Sequence, residues 1–335
     1  MGSGAAAGRI RTAPERDDGG IVADTMSAPQ KGKGRRMTVD PEARVAVIIP
    51  VFDSGTTLPE TLDSVFAQTH PALEIMVVDD GSTDPLTLHV LDALREDGRV
   101  RVIRQDNAGP SAARNAGISA SSARYFMPVD SDDRIASSYI AEAVEVLEER
   151  PDVPLVYARA ELFGRYTGRW RLPDFDWAGF LIHNQIFPSA LFRRTDWAAI
   201  GGYDESMRRG REDHDFVMRV LARGGEPFRL DAVRFFYRIG ADGSSVNSSM
   251  DREDLIAAHS QIFRNSTQAY ADHAEDLFRF IFDQHDQVAD LRFRYAALER
   301  LRVRFPRIVS AGKRVRDGVR RIGRGRRRDD GIGHL

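Results

Sequence analysis

The sequence contains no cysteine among its 335 residues. That excludes a disulfide framework, a thiol nucleophile and any thiolate metal site, so a bound metal must be held by carboxylates, histidines or water. It also lacks any apolar run long enough to cross a bilayer. Net charge is nearly absent, −2 at pH 7 from 48 basic and 50 acidic residues, which argues against a chain that is basic throughout. The N-terminal residues lack the charged-then-apolar order of a secretory signal, and a cytoplasmic location is the expectation that follows. Two nucleotide signatures are missing as well. No GxGxxG follows the first expected strand, and no Walker A pattern occurs, since Gly312-Lys313 continues into Arg314 without the upstream glycine. Hydride transfer on a dinucleotide and P-loop hydrolysis thereby lose most of their support.

The chain is long enough to bury a sizeable core. Residues 1–43 are rich in Gly, Ala, Ser, Pro and charge without periodicity, and are expected to be a disordered leader. From Arg44 the pattern alternates. The β-branched apolar run Val45–Pro50, stopped by its proline, suits a buried strand, Thr57–Gln68 a helix, Glu74–Val78 a strand and Pro85–Glu96 a helix. Val100–Arg104, Ser111–Ala120 and Tyr125–Val129 continue as strand, helix and strand. Such repetition predicts an α/β fold with a parallel sheet and helices on both faces. Beyond it, a helix is expected at Ser138–Glu149 and a strand at Leu155–Ala160, then a loop or hairpin over Phe163–Trp177. Gln185–Phe192, Asp213–Ala222 and Val233–Tyr237 read as strand, helix and strand. From Asp251 the pattern is helical, with Leu277, Phe278, Phe280, Ile281, Phe282, Val288 and Leu291 on a broad apolar face that Leu298, Leu301 and Val303 extend. This divides the chain into a leader (1–43), a catalytic domain (44–250), a helical extension (251–310) and a basic tail (311–335).

Ligands of open parallel sheets bind beyond the carboxyl ends of the strands. Here those ends carry Phe52-Asp53, Asp79-Asp80-Gly81-Ser82 and Asp130-Ser131-Asp132-Asp133. Carboxylates at a phosphate site require a cation between them, and these hard oxygens suit Mg²⁺ or Mn²⁺ shared with a diphosphate. Alternatively the acidic turns cap the elements that follow them.

Five ordered motifs carry a family resemblance: Ile48-Ile49-Pro50-Val51-Phe52, Val77-Val78-Asp79-Asp80-Gly81-Ser82-Thr83-Asp84, Asn107–Asn115, Val129–Asp133 and Glu212-Asp213-His214-Asp215-Phe216. Residues 44–245 resemble a family 2 glycosyltransferase of the GT-A (Rossmann-like) fold, which implies an α/β architecture with a mixed, mostly parallel sheet and flanking helices, here followed by the C-terminal helical extension. The resemblance implies a nucleotide and substrate set of Pro50, Phe52, Asp80, Arg114, Asp130 and Glu212, with Phe52 against the base. Asp80 would accept from the imide N–H of uracil or thymine, and Arg114 would lie near the diphosphate. It implies a divalent cation (Mn²⁺ or Mg²⁺) at Asp132 and Asp133, chiefly Asp132, with Asp130 on the ribose or a coordinating water. Asp213 would be the general base of an inverting transfer to a glycan or lipid-linked envelope acceptor, with Asp215 a weaker candidate. His183 and Asn184 lie ahead of the segment leading to the acceptor site, where contact with substrate is one reading; a lone histidine more often has a structural partner, and His183 is not counted among the catalytic residues. One departure stands out: many relatives have a histidine ligand after a Tyr-Arg pair, whereas Tyr237-Arg238 is followed by Ile239-Gly240-Ala241-Asp242. Either Asp242 substitutes, or the metal has a single direct protein ligand.

The near-neutral charge conceals two blocks. Glu299–Arg328 holds thirteen Lys or Arg against two acids, leaving about −13 for the rest. Such a basic stretch suits an anionic membrane surface at about 1 kcal/mol per residue; nucleic acid is the weaker candidate partner. Competing functions are a nucleotide-sugar-binding scaffold without catalysis, which the full carboxylate set disfavours, and a sugar-nucleotide nucleotidyltransferase, which needs a glycine-rich basic loop absent here.

Overall fold

The computed structural model describes residues 43–208, 210–240 and 250–304. Residues 1–42 of the expected leader, residues 305–310 of the helical extension, the basic tail and Asp242 lie outside the described residues; Ala43, expected to end the leader, is instead buried in the core, where its carbonyl meets His70. Strands β1 (Val45–Val51), β2 (Leu73–Asp80), β3 (Val100–Gln105) and β4 (Tyr125–Pro128) alternate with helices α1 (Leu58–Phe66), α2 (Pro85–Glu96) and α3 (Pro110–Ala120). They pair in parallel in the order β3-β2-β1-β4. Next come β5 (Arg134–Ile135), α4 (Tyr139–Glu149), β6 (Leu155–Gly164), β7 (Gly168–Trp170) and the short α5 (Trp177–Phe180). After them are β8 (Leu191–Arg193), α6 (Arg194–Ala199), α7 (Glu212–Leu221) and β9 (Phe228–Ile239). The sheet continues β4-β8-β6-β9-β5, with β7 paired to β6. β8 runs antiparallel to both β4 and β6, so the second half is mixed, although its longest ladder, β6 with β9, is parallel.

The first half follows its sequence pattern to within two residues. β1 is buried nearly throughout because helices cover both faces of the sheet. Proline at position 50 does not stop it. Ile48 O accepts from Val129 N, so residue 48 turns its backbone groups toward β4. Two residues on, Pro50 faces the same side, where β4 has already ended at Pro128, and its missing N–H costs no ladder bond. α3 packs against β1 and β2 through Gly117, where an added Cβ would lie 2.7 Å from Ile48 Cγ2. Gly117→Ala is therefore expected to destabilise the fold by about 1–3 kcal/mol through overpacking, read as a lowered denaturant midpoint.

One expected strand is mostly loop. Of Gln185–Phe192 only the end joins β8. Gln185 instead holds Asp176, accepting from its N–H at 3.0 Å and donating to its carboxylate at 3.0 Å, while Pro188 offers no N–H to a ladder. Of the loop or hairpin expected over Phe163–Trp177, the first part is the turn and second strand of the β6–β7 hairpin, whose ladder starts at Ala160.

Three helices complete the described chain: α8 (Arg252–Asn265), α9 (Thr267–Asp272) and α10 (Ala274–Arg304). Asp251 caps α8 by accepting from Asp254 N at 2.8 Å. Ile262, Ala269 and Tyr270 are buried in the same core as the sheet, so α8 and α9 belong to the body. Among the described residues no helix is long and apolar enough to cross a membrane.

Candidate active site

The carboxyl edge of β1, β2 and β4 and the start of α7 bring most of the expected site residues together. At the β1 end, Phe52 is 52% exposed, which removes it from the core and leaves a flat apolar face open to a ligand. Asp53 behind it has a left-handed φ of 47°. Its Oδ1 accepts from the backbone N–H groups of Thr83 and Asp84 at 2.7 and 2.8 Å, bonds that hold its carboxyl below the usual range. The loops after β1 and β2 are thus tied to each other. Gly81 supports that turn with φ 78°, and a Cβ there would stand 2.8 Å from Asn107 N.

Asp80 is buried and heavily bonded. Its Oδ1 accepts from Gln105 Nε2 at 2.8 Å and Ala108 N at 2.9 Å, and its Oδ2 from Gly109 N at 2.8 Å. Of about four acceptor positions on a carboxylate, three are taken by the chain itself. The remaining one, on Oδ2, has no partner among the described residues. Neighbouring Asp79 is structural: Ser82 N and Arg104 both donate to it.

Arg114 lies inside the protein, 2% exposed, and does not project toward solvent. Nη1 donates to Glu212 Oε1 at 2.7 Å and Nη2 to Asp130 Oδ1 at 2.8 Å. Burial opposes its charge, but the two carboxylates more than offset that and hold its pKa well above the ordinary value. The guanidinium thereby joins the end of β4 to the first residue of α7. It rests 5.5 Å over the Tyr203 ring, which stacks on Phe216 at 4.0 Å above the buried Phe126 and Phe192. A long cation among small residues was the signal in the sequence. Its two partners, 16 and 98 residues away, were not.

The three aspartates after β4 separate into different roles. Asp133 is fully buried: Oδ1 accepts from Arg238 N at 2.8 Å, and Oδ2 is a buried oxygen without a partner. Burial, then Asp132 and Asp130, push its carboxyl well up. The carboxylate of Asp132 reaches solvent, and among the described residues no other residue donates to it. Crowding by its surroundings and the charge of Asp130 push it up to about 6. The Asp132 carbonyl accepts from Arg238 Nε at 2.7 Å, and Glu60 takes both Arg238 and Arg134 on the far side. No group of three or more metal-binding side chains occurs among the described residues. Asp130 and Asp132 are the carboxylates at this turn that stand at the exposed edge, and their hard oxygens are of the type a divalent cation takes.

α7 begins after Arg211, a non-glycine residue at φ 68°, a strained conformation of the kind found where function fixes the backbone. Three acids, Glu212, Asp213 and Asp215, occupy its first turn, where the helix dipole favours negative charge. Asp213 is partly exposed. Its Oδ2 accepts from Asn184 Nδ2 at 2.8 Å and its Oδ1 from His214 N at 2.8 Å. Desolvation first, and Glu212 second, push its carboxyl up to about 6. Asp215 points the other way. It is buried against Arg219 (2.8 Å) and Asn265 (2.8 Å) and has no route to a substrate. His214 is buried on Phe180 O at 2.7 Å, and burial lowers its pKa to about 3, so it stays neutral. Asn184 thus meets the candidate base, while His183 packs on Phe280 of α10.

Two supporting residues carried no sequence signal of their role. Asn115 accepts from Trp197 Nε1 and Tyr203 N and donates to Tyr203 O, pinning the Gly202–Tyr203 turn beneath α7. Asn265 on α8 donates to both Asp204 and Asp215.

Residues 46–209 match the model of Glycosyl transferase family 2. An uncharacterised glycosyltransferase of Rickettsia bellii is 32% identical over 233 residues, covering 67% of this chain and 33% of that protein. The succinoglycan biosynthesis protein ExoO of Rhizobium meliloti is 28% identical over 243 residues, 67% of this chain and 69% of its own. The chain spans only 18% of a further relative, an uncharacterised glycosyltransferase of Rickettsia felis, with 37% identity over 108 residues. Among solved structures, S. aureus TarS 1–349 in complex with UDP-GlcNAc superposes with a TM-score of 0.59 at 20% identity, over 71% of each chain.

Proposed function

The chain belongs to glycosyl transferase family 2, and from that premise we propose that it moves a sugar from a nucleoside diphosphate, a UDP-sugar in the first instance, to an acceptor hydroxyl with inversion at the anomeric carbon. The observation that carries this reading is the Asp130–Arg114–Glu212 bridge, which joins the acidic donor edge to a partly exposed, proton-hungry carboxylate at Asp213. The donor base lies against Phe52, and its imide N–H uses the free position on Asp80. The sugar then lies between Asp130 and the start of α7. Asp213, held by Asn184, takes the proton of the acceptor hydroxyl as that oxygen attacks in line. One displacement inverts the centre and releases the nucleoside diphosphate, without a covalent enzyme intermediate. A divalent cation held by Asp132, with Asp130 beside it, would supply charge neutralisation to the departing diphosphate. The buried Asp133 acts instead on the backbone of β9 and shapes the turn that presents Asp132.

The proposed acceptor is a glycan or lipid-linked envelope precursor, with the basic C-terminal stretch keeping the enzyme at the inner face of an anionic membrane. Flotation with anionic vesicles tests this: deletion of Ala311–Leu335 should abolish co-flotation, and undiminished binding would refute it. For the chemistry, nucleotide sugars beginning with UDP-GlcNAc are screened for Mn²⁺-dependent hydrolysis or transfer. Asp132→Ala is expected to lose the cation-stimulated rate by about 10²-fold or more, several kcal/mol being a metal's usual share, and to weaken Mn²⁺ binding measured without donor. Donor binding with no turnover on any acceptor would favour a non-catalytic scaffold.

A further inference from the structure

Helix α10 leaves the body after its first turn. Leu277 packs on the core and Phe280 meets His183, yet from Ile281 to Tyr295 every residue is exposed. At about 1.5 Å per residue a 31-residue helix extends roughly 46 Å, most of it without a partner within the described chain. This exposed stretch is not polar all round. Ile281, Val288, Leu291 and Tyr295 are 42%, 45%, 51% and 58% exposed. With Leu277 and Gln284 they recur at intervals of four, three, four, three and four residues. That is a heptad repeat, with Ile281, Val288 and Tyr295 at a and Leu277, Gln284 and Leu291 at d.

The opposite face identifies the occupant. Glu275, Asp276, Asp283, Asp286 and Asp290 lie there with Arg279, which pairs with Glu275, and with the exposed Phe282 and Phe293; Arg294, which pairs with Asp290, stands beside the seam. Helices that lie on anionic lipid carry the reverse, a basic polar face. An acidic back and a 3.5-residue apolar seam suit another helix of the same pattern. β-branched residues at a with leucine at d favour two parallel strands, and a single polar seam residue, here Gln284, specifies register.

We infer that α10 is a dimerisation helix: two copies of the chain pair along Ile281–Tyr295 as a parallel, in-register coiled coil that holds both catalytic bodies at one end. The closed two-fold arrangement uses the same face of each copy and leaves no seam residue open for further addition. Phe278, at an e position, flanks the first seam layer and is partly covered as the helices meet, whereas Phe282, which stacks on it at 6.4 Å along the same helix, lies on the outer face.

The absence of native cysteine makes the test direct. Light scattering on the full chain should give a dimer mass. The double variant Val288→Glu, Leu291→Glu should give a monomer that still unfolds cooperatively, because both side chains are exposed in the single copy, with a midpoint that no longer depends on protein concentration. Single substitutions Gln284→Cys and Leu291→Cys should each cross-link to themselves on mild oxidation, whereas Asp283→Cys on the acidic face should not. A monomeric parent, or a dimer that survives the double variant, overturns the proposal. So does cross-linking that appears only when the Gln284→Cys and Leu291→Cys proteins are mixed, since that is an antiparallel pair. Binding of the monomer to anionic vesicles that the double variant loses would assign the face to lipid and equally overturn it.

Discussion

Asp213→Asn is expected to lower sugar transfer by about 10²–10⁴-fold, the usual share of a positioned general base, while leaving donor binding intact. Isothermal titration with UDP and Mn²⁺, set beside turnover, separates the two effects. The pH dependence follows from the same residue. With its carboxyl pushed up to about 6, Asp213 is a working base above that pH and is protonated below it. kcat/KM of the parent should therefore fall tenfold per pH unit on the acid side of about 6, and the residual rate of the Asn variant should lose that limb. Stability moves the opposite way. A carboxyl whose folded pKa lies above its unfolded value contributes stability that is fully present below the unfolded pKa and lost as pH rises through the folded one. Removing its charge should thus raise the thermal midpoint at pH 8 and do little at pH 3.5. A variant that loses activity and stability together at pH 8 would mark Asp213 as a structural cap.

Arg114→Met carries the second large effect. The guanidinium is buried between Asp130 and Glu212, so its removal leaves two carboxylates facing each other without compensation. Breaking a buried pair from one side costs about 3–5 kcal/mol, an expected fall of roughly 10 °C in thermal midpoint for a body of this size. Adding Glu212→Gln should restore part of that loss, because the stranded charge is then gone, and the double-mutant cycle reads the coupling directly. Arg114→Lys keeps the charge but not the two-pronged geometry. It should fold nearly as well as the parent and transfer sugar more slowly, because the link between β4 and α7 is slack. A cation reaching out to the diphosphate would behave differently: Arg114→Met would then raise the donor KM and leave stability unchanged.

Much of this site was legible in the chain. Alternating apolar runs and helix signals located β1 to β4 and α1 to α3 closely, because each of those elements is determined by its own periodicity and flanking turn residues. The acids at the strand ends were visible for the same reason: a parallel sheet collects the residues that follow its strands along one edge. The division of labour among those acids was not. Asp130, Asp132 and Asp133 are equivalent in sequence, yet one meets Arg114, one reaches solvent and one is buried under β9. Asp213 and Asp215 likewise share a helical turn, and only the packing of Arg219 and Asn265 against Asp215 separates them.

The sequence by itself determined the alternating α/β order, the absence of thiol chemistry and the acidic edge, since these depend on residue type and short-range spacing. Tertiary structure alone decided which carboxylate is free, which is held and which is raised in pKa. Burial and hydrogen bonds from residues up to about a hundred positions away set those properties, and no local pattern encodes them. It also sharpened the apolar face of the last helix. Folding covers Leu277 and leaves the seam from Ile281 onward exposed, because the body ends where the helix continues.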